Sequence, residues 1–319
     1  MLLSSTFILF VVGFFFLIQG ANYLVSGARS VAKLFNASPW FVGIVVVGIG
    51  TSIPELAISV ASVFNNNEVG LATLVGSNIF NTLFILGFSA VLSPLVLKRV
   101  WVRRDLVLNI GAIVCATIVI FLPVVGDPAW LGVTRLEAGI LAVLFLCWIA
   151  YMLKRHETLT GSTDYSVFSV FTSFLLIVVG ILGVFLGGQW VVHGAEAIAL
   201  LHGVSPALVA LTVVAVGTSL PELAVAIVAL LKKQKGIAVG SIIGSNIFDF
   251  LGIIGITALL RPIPTTLSIG FDMLAVFIST SILFVMMFVV GKRYTIGRAE
   301  GLFLILCYAL YLVFIFSRG

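Results

Sequence analysis

Oxygen-bearing side chains recur in two matched sets within a chain that is otherwise almost wholly apolar. Gly50-Thr51-Ser52-Ile53-Pro54-Glu55-Leu56-Ala57 returns as Gly217-Thr218-Ser219-Leu220-Pro221-Glu222-Leu223-Ala224. A second block comes after each copy, Gly76-Ser77-Asn78-Ile79-Phe80-Asn81 and then Gly244-Ser245-Asn246-Ile247-Phe248-Asp249. Pro54 and Pro221 lack an N–H and crowd the carbonyl four residues back, which frees backbone oxygens around Gly50, Thr51, Gly217 and Thr218. At helical spacing Thr51 shares a face with Glu55, Ser77 with Asn81, Thr218 with Glu222, and Ser245 with Asp249, each pair at i and i+4. Ser52 and Ser219 complete the set. Every group is an oxygen donor, and such a site suits hard cations, Ca²⁺ and Na⁺, over zinc or copper.

The charge count fits exchange. Glu55 and Glu222, each bidentate, with carbonyls of Thr51 and Thr218 give about the six to eight oxygens Ca²⁺ takes, whereas Mg²⁺ would have to shed waters it holds tightly. With Asp249 neutral, the two glutamates match one Ca²⁺. Several Na⁺ ions can replace it on the serine, asparagine and carbonyl oxygens, so the two ions compete.

A carboxylate at the bilayer centre costs about 2.5–3.5 kcal/mol or more unless compensated, and only Glu55, Glu222 and Asp249 are placed deep by the sequence. Glu68, Asp105, Asp127, Glu137, Glu157, Asp164, Glu196, Asp272 and Glu300 fall near span ends or in loops, where solvent is expected to reach them. Cys115, Cys147 and Cys307 are scattered without a disulfide or metal spacing, and His156, His193 and His202 make no metal site.

The elements that carry these residues must be membrane helices. Hydrophobic residues make up 61% of the 319 and charged ones 9%, and the mean hydropathy is +1.28; a water-soluble domain of this size is excluded. Spans of roughly 20 apolar residues cross a bilayer, and ten are expected, near 5–27, 39–64, 69–92, 106–124, 134–153, 168–192, 206–231, 237–260, 267–290 and 299–316. They are continuously apolar rather than alternating, which excludes barrel strands. The first lacks a basic leader and its Gly20 and Gly27 have counterparts in Gly187 and Gly194, so it reads as a retained helix.

Basic residues accumulate on the cytoplasmic side. All of the 17 except Arg135, Arg261 and Arg318 fall in odd-numbered connections, so both termini are expected outside the cell membrane and the 154–167 loop in the cytoplasm. Two five-helix halves, 1–153 and 168–319, then enter the membrane from opposite sides as inverted repeats, an architecture of secondary transporters with a midplane site. The duplicated blocks occupy about 39–92 and 206–260. The net charge of +5 stems from the cytoplasmic loops; no nucleic-acid partner is expected, and no cofactor or obligate protein partner is evident. The ions and the bilayer are the expected partners.

The paired GTS-x-PE and GSNIF-N/D blocks resemble the α-repeats of the Ca²⁺/cation antiporter superfamily, near its prokaryotic Na⁺/Ca²⁺ exchanger branch. The resemblance covers nearly the whole chain. It implies a ten-helix fold whose second, third, seventh and eighth helices surround four ion positions, with acidic ligands at Glu55 and Glu222 and a central polar pair at Asn81 and Asp249. Supporting oxygens are implied at Thr51, Ser52, Ser77, Thr218, Ser219 and Ser245. Alternating access is implied too, with the first and sixth helices as a gate, where Gly13, Gly20, Gly27, Gly183, Gly187 and Gly194 fit sliding contact or ordinary small-residue packing. Proton-coupled relatives tend to carry Asn after the first Gly of the motif, so Thr51-Ser52 and Thr218-Ser219 favour Na⁺. H⁺/Ca²⁺ antiport is the alternative, since the three carboxylates can load protons. A cation channel is the alternative of a different class, and it would need sites weak enough for rapid exit.

Overall fold

The computed structural model describes residues 2–65, 69–122, 131–155, 157–158, 167–202, 215–289 and 292–318. Its helices are α1 (Leu2–Leu34), α2 (Pro39–Thr51), α3 (Ile53–Phe64), α4 (Val69–Leu92), α5 (Arg99–Phe121), α6 (Arg135–Arg155), α7 (Val170–Leu201), α8 (Leu220–Leu231), α9 (Lys235–Leu260), α10 (Ile269–Phe288) and α11 (Arg298–Arg318). Among the described residues eight of them are long and apolar enough to cross a membrane, and α2 with α3, bent by 41°, is long and apolar enough to be a ninth, broken span or a re-entrant loop. Of the seventh expected span, residues 206–214 lie outside the described residues, and α8 supplies 12 residues of the remainder.

Several helices overrun their expected ends: α1 continues to Leu34, α7 to Leu201, and α5 begins at Arg99. Hydropathy reports the thickness of the apolar layer, whereas a helix continues wherever its backbone stays bonded and its side chains find packing. Ala28, Val31 and Ala32 of the α1 extension are buried in this way. Local chemistry then stops the helix. Asn36 takes a left-handed φ of 49°, and Ala37 N and Asn36 N donate to Ala32 O and Lys33 O at 2.8 and 3.3 Å, a Schellman ending. Lys233, with φ 59°, ends α8 in the same way, through Gln234 N to Ala229 O and Lys233 N to Leu230 O. Ser38 then caps α2 by accepting from Phe41 N at 3.2 Å, with Pro39 at the first helical position.

The chain forms two compact units, each drawing on both halves of the sequence: Met1–Pro54 with His156–Ser241, and Glu55–Arg155 with Ile242–Gly319. In the first unit α1 packs along α7. A Cβ built on Gly20 would lie 2.5 Å from Val184 N and 2.6 Å from the carbonyl carbon of Gly183, so only glycine permits this backbone approach. Dispersion between closely packed backbones replaces the hydrophobic drive that is missing between helices in lipid. Leu17, Leu24, Val25, Ile177, Val184 and Val225 are among the buried side chains of this core. Polar ties bind it further: Ser173 Oγ donates to Ser30 Oγ at 2.8 Å, and Lys232 Nζ donates to Asn22 O and Ser26 Oγ at 2.9 and 2.7 Å. Burial, and after it the charge of Arg29, lowers the Lys232 pKa below the ordinary lysine value.

In the second unit α11 packs on the C-terminal part of α4, and α6 on the C-terminal part of α9. Two short antiparallel ribbons tie helix ends. β1 (Leu95–Val96) pairs with β4 (Thr295–Ile296), Leu95 opposite Ile296. β2 (Gly132–Val133) pairs with β3 (Ile263–Pro264), Gly132 opposite Pro264.

Two acidic residues depart from expectation here. Asp105 and Glu137 are fully buried rather than reached by solvent. Arg104 grips Asp105 with two hydrogen bonds, Nε to Oδ1 at 2.7 Å and Nη2 to Oδ2 at 2.9 Å, the planar fork that partly repays desolvation. Glu137 Oε2 accepts from both N and Oγ1 of Thr134, each at 2.8 Å, so the carboxylate serves as the reciprocal partner of the α6 cap. Glu68, Asp127, Asp164 and His156 lie outside the described residues.

Candidate cation site

In the second unit the acidic and amide side chains of the repeated blocks converge. Glu55, Ser77, Asn78, Asn81, Thr82, Asn246 and Asp249 are each at most 2% exposed. Ser77 Oγ donates to Glu55 Oε1 at 3.3 Å. Asn78 Nδ2 donates to Asp249 Oδ2 at 2.8 Å and to Leu74 O at 2.8 Å. Asn81 Nδ2 donates to Asn246 Oδ1 at 3.0 Å, and Asn246 Nδ2 donates to Thr82 Oγ1 at 3.1 Å. Ser245, next to Asn246 on α9, is fully buried. The carrier helix is itself enclosed, since residues 237–255 of α9 are buried without exception. Asp249 is therefore shielded from lipid by protein.

The backbone departs from regular helix at both block ends. The π-helical turns Phe80–Ile85 in α4 and Phe248–Ile253 in α9 each contain a block's last residue, Asn81 or Asp249, in second position. A π turn carries one residue more per turn than the α-helix and so rotates the residues beyond it about the helix axis; such turns concentrate at functional sites. Ser77 with Asn81, and Ser245 with Asp249, thus straddle a junction from α to π geometry rather than lying along one regular helix. The hydrogen bonds between the blocks cross, Asp249 meeting Asn78 and Asn81 meeting Asn246. Asn78, Asn246 and Thr82 were not among the expected site residues. Asn78 and Asn246 stand inside the repeated blocks, so recurrence pointed to them even though charge did not.

The first unit carries the breaks of the other motif. Ser52 ends α2 with φ −85° and ψ 9°, and Ser219 precedes α8 with φ −93° and ψ 8°. Both sit in the bridge region, sparsely populated and frequent at active sites. Thr51 Oγ1 and Ser52 N both donate to Gly48 O at 3.3 Å, and Ser219 N donates to Val216 O at 3.2 Å. The proline of each motif stands in the first turn of the next helix, so Thr51 and Glu55 fall on separate helices, and Thr218 lies in the turn before the helix that carries Glu222. Their expected i, i+4 alignment on one continuous helix is lost. Thr51, Ser52, Ser219 and Glu222 are buried and Thr218 is half-buried. Pro221 packs beneath α7, where a Cβ on Gly188 would meet its ring at 3.5 Å, and Glu222 sits beside it in the first turn of α8. That turn presents unsatisfied N–H groups and a positive dipole end, which favour a carboxylate there.

Comparison with known proteins places this arrangement. The family model for sodium/calcium exchanger proteins matches residues 5–154 and 172–317. The sodium/calcium exchanger MaX1 of Methanosarcina acetivorans is 27% identical over 99% of both chains. The inner membrane protein YrbG of Escherichia coli is 32% identical over 82% of this chain and 81% of its own. Among solved structures, the sodium-calcium exchanger NCX_Mj, soaked with Na⁺ and Ca²⁺, superposes with a TM-score of 0.81 at 29% identity, covering 97% of this chain and 98% of that one. With two matched segments spanning most of its length, the chain is a multi-pass membrane protein of the sodium/calcium exchanger family.

Proposed function

We propose that this protein is a secondary active antiporter that moves Ca²⁺ against Na⁺ by alternating access. The observation that carries the reading is the buried set of Glu55, Ser77, Asn81 and Asp249 oxygens at helix breaks of a membrane-spanning chain. Irregular backbone and carboxylates at this depth are tolerated where they serve an ion pathway. Glu55 and Glu222 are assigned as the charged ligands of Ca²⁺, and Thr51, Ser52, Ser77, Asn81, Thr218, Ser219, Ser245 and Asp249 supply the oxygens that Na⁺ ions use in its absence. Shared ligands make the two ions mutually exclusive, and opposed gradients then drive exchange.

The proposal extends to topology. Ten spans form two inverted halves, 1–153 and 168–319, joined by the 154–167 loop on the cytoplasmic side, with both termini outside. The α1–α7 pair serves as the gate. Its glycines let the two backbones approach closely along the pair.

The test is flux. Purified protein in liposomes loaded with Na⁺ takes up ⁴⁵Ca²⁺ on dilution into Na⁺-free buffer, and an imposed pH gradient alone drives none. Uptake driven by the pH gradient instead assigns H⁺/Ca²⁺ antiport, a reading that the carboxylate of Asp249 favours. Ca²⁺ entry with no counter-ion gradient at all would mark a channel.

A further inference from the structure

The bonds between the two GSNIF-N/D blocks are reciprocal. The third residue of each block meets the sixth of the other: Asn78 with Asp249 at 2.8 Å, and Asn246 with Asn81 at 3.0 Å. We propose that Asn78 and Asn246 are positioning residues for ion exchange, each fixing the side chain that ends the opposite block, so that Asn78 acts through Asp249 and sets the Na⁺ dependence of transport. This inference rests on the exchange reading and deepens it.

The hydrogen-bond inventory supports the role. Both protons of the Asn78 amide are engaged, one by Leu74 O and one by Asp249 Oδ2, so the amide cannot turn without breaking a bond. Its carbonyl oxygen is thereby held in one direction, and among the described residues Asn78 Oδ1 and Asn81 Oδ1 are buried acceptors with no hydrogen-bond donor. A buried acceptor left without a donor is costly, and a cation or water is its natural complement. The clamp thus takes up one oxygen of Asp249 and leaves two amide carbonyls fixed in place.

Reciprocity also makes the two ends exchangeable. If the carboxylate moves to position 81 through Asn81→Asp with Asp249→Asn, the amide created at 249 still accepts from Asn78. Asn246 can rotate to donate to the new carboxylate, because Thr82 Oγ1, which now accepts from Asn246 Nδ2, is a hydroxyl and can donate instead.

The experiment measures the Na⁺ concentration that half-inhibits ⁴⁵Ca²⁺ uptake, with the Na⁺-induced infrared difference spectrum of the carboxylate at 249 as a readout independent of flux. Asn78→Ala is expected to raise that concentration about tenfold or more, the usual weight of a hydrogen bond to a charged group, and to shift the carboxylate band. In an Asp249→Ala background the same substitution is expected to be silent. The exchanged pair Asn81→Asp with Asp249→Asn is expected to recover most of the Na⁺ dependence that Asp249→Asn alone loses. Equal effects of Asn78→Ala in both backgrounds, or an unshifted band, overturn the positioning role. So does an exchanged pair that binds Ca²⁺ with no recovery of Na⁺ dependence. Absence of wild-type uptake under either gradient defeats the exchange reading instead, and the carboxylate band at 249, compared without Na⁺ between wild type and Asn78→Ala, still decides the clamp.

Discussion

Buried carboxylates divide by what holds them. Asp105 has its own guanidinium and Glu137 its own helix cap, and each is neutralised or solvated locally. Glu55 accepts from the hydroxyl of Ser77 and Asp249 from the amide of Asn78. The proposed function assigns the glutamate charges to Ca²⁺. Glu55→Gln and Glu222→Gln are therefore expected to abolish Ca²⁺ uptake: removing a unit charge about 4 Å away at an effective dielectric near 20 costs about 4 kcal/mol, on the order of a thousandfold in affinity. Isotope flux checks this, and wild-type uptake in either variant contradicts the assignment. Asp249→Asn is expected to weaken Ca²⁺ uptake less and to change its Na⁺ and pH response more. An unchanged response to both would remove Asp249 from coupling. The charged residues assigned to the site stood out because proline and carboxylate recur together in both halves. Asn78 and Asn246 recur too but carry no charge, and Thr82 stands outside the blocks, so their partners are seen only once the opposite block is in place.

At the scale of elements, Pro54 pointed to freed carbonyls around Gly50 and Thr51 but not to two separate helices, and the π turns at Phe80–Ile85 and Phe248–Ile253 gave no sign at all. A helix that is apolar on all sides has no periodicity from which a change of winding could be read. The same isotropy hid the true ends of α1 and α7, which packing rather than hydropathy determines. Two substitutions separate element from site. Thr134→Ala removes the α6 cap and one donor to Glu137, and is expected to cost about 1–3 kcal/mol of stability while leaving uptake per folded molecule intact. A thermal melt in detergent with flux on the surviving fraction checks this, and lost flux in fully folded protein would place Glu137 in transport. Gly20→Ile wedges α1 from α7 and is expected to cost about 1–3 kcal/mol by overpacking. It is also expected to slow exchange in the molecules that remain folded; a normal rate in folded protein would remove the α1–α7 contact from gating.

At the scale of the whole molecule, the family and the all-helical membrane class came from composition and the duplicated blocks, while the seventh span rests on sequence for residues 206–214. The proposed orientation rests on the basic residues at one set of helix ends. With Cys115, Cys147 and Cys307 replaced by serine, a membrane-impermeant thiol reagent applied to intact cells is expected to label Ser317→Cys and to spare Ser162→Cys; the opposite pattern would invert the topology. The central claim is that Ca²⁺ and Na⁺ compete for one set of buried oxygens. It is tested most directly by calorimetric titration of Ca²⁺ into the purified protein at rising Na⁺, alongside Glu55→Gln. The account predicts that Na⁺ progressively displaces Ca²⁺ from the wild type and that the variant gives no Ca²⁺ heat; Ca²⁺ binding that ignores Na⁺, or that persists in Glu55→Gln, would contradict it.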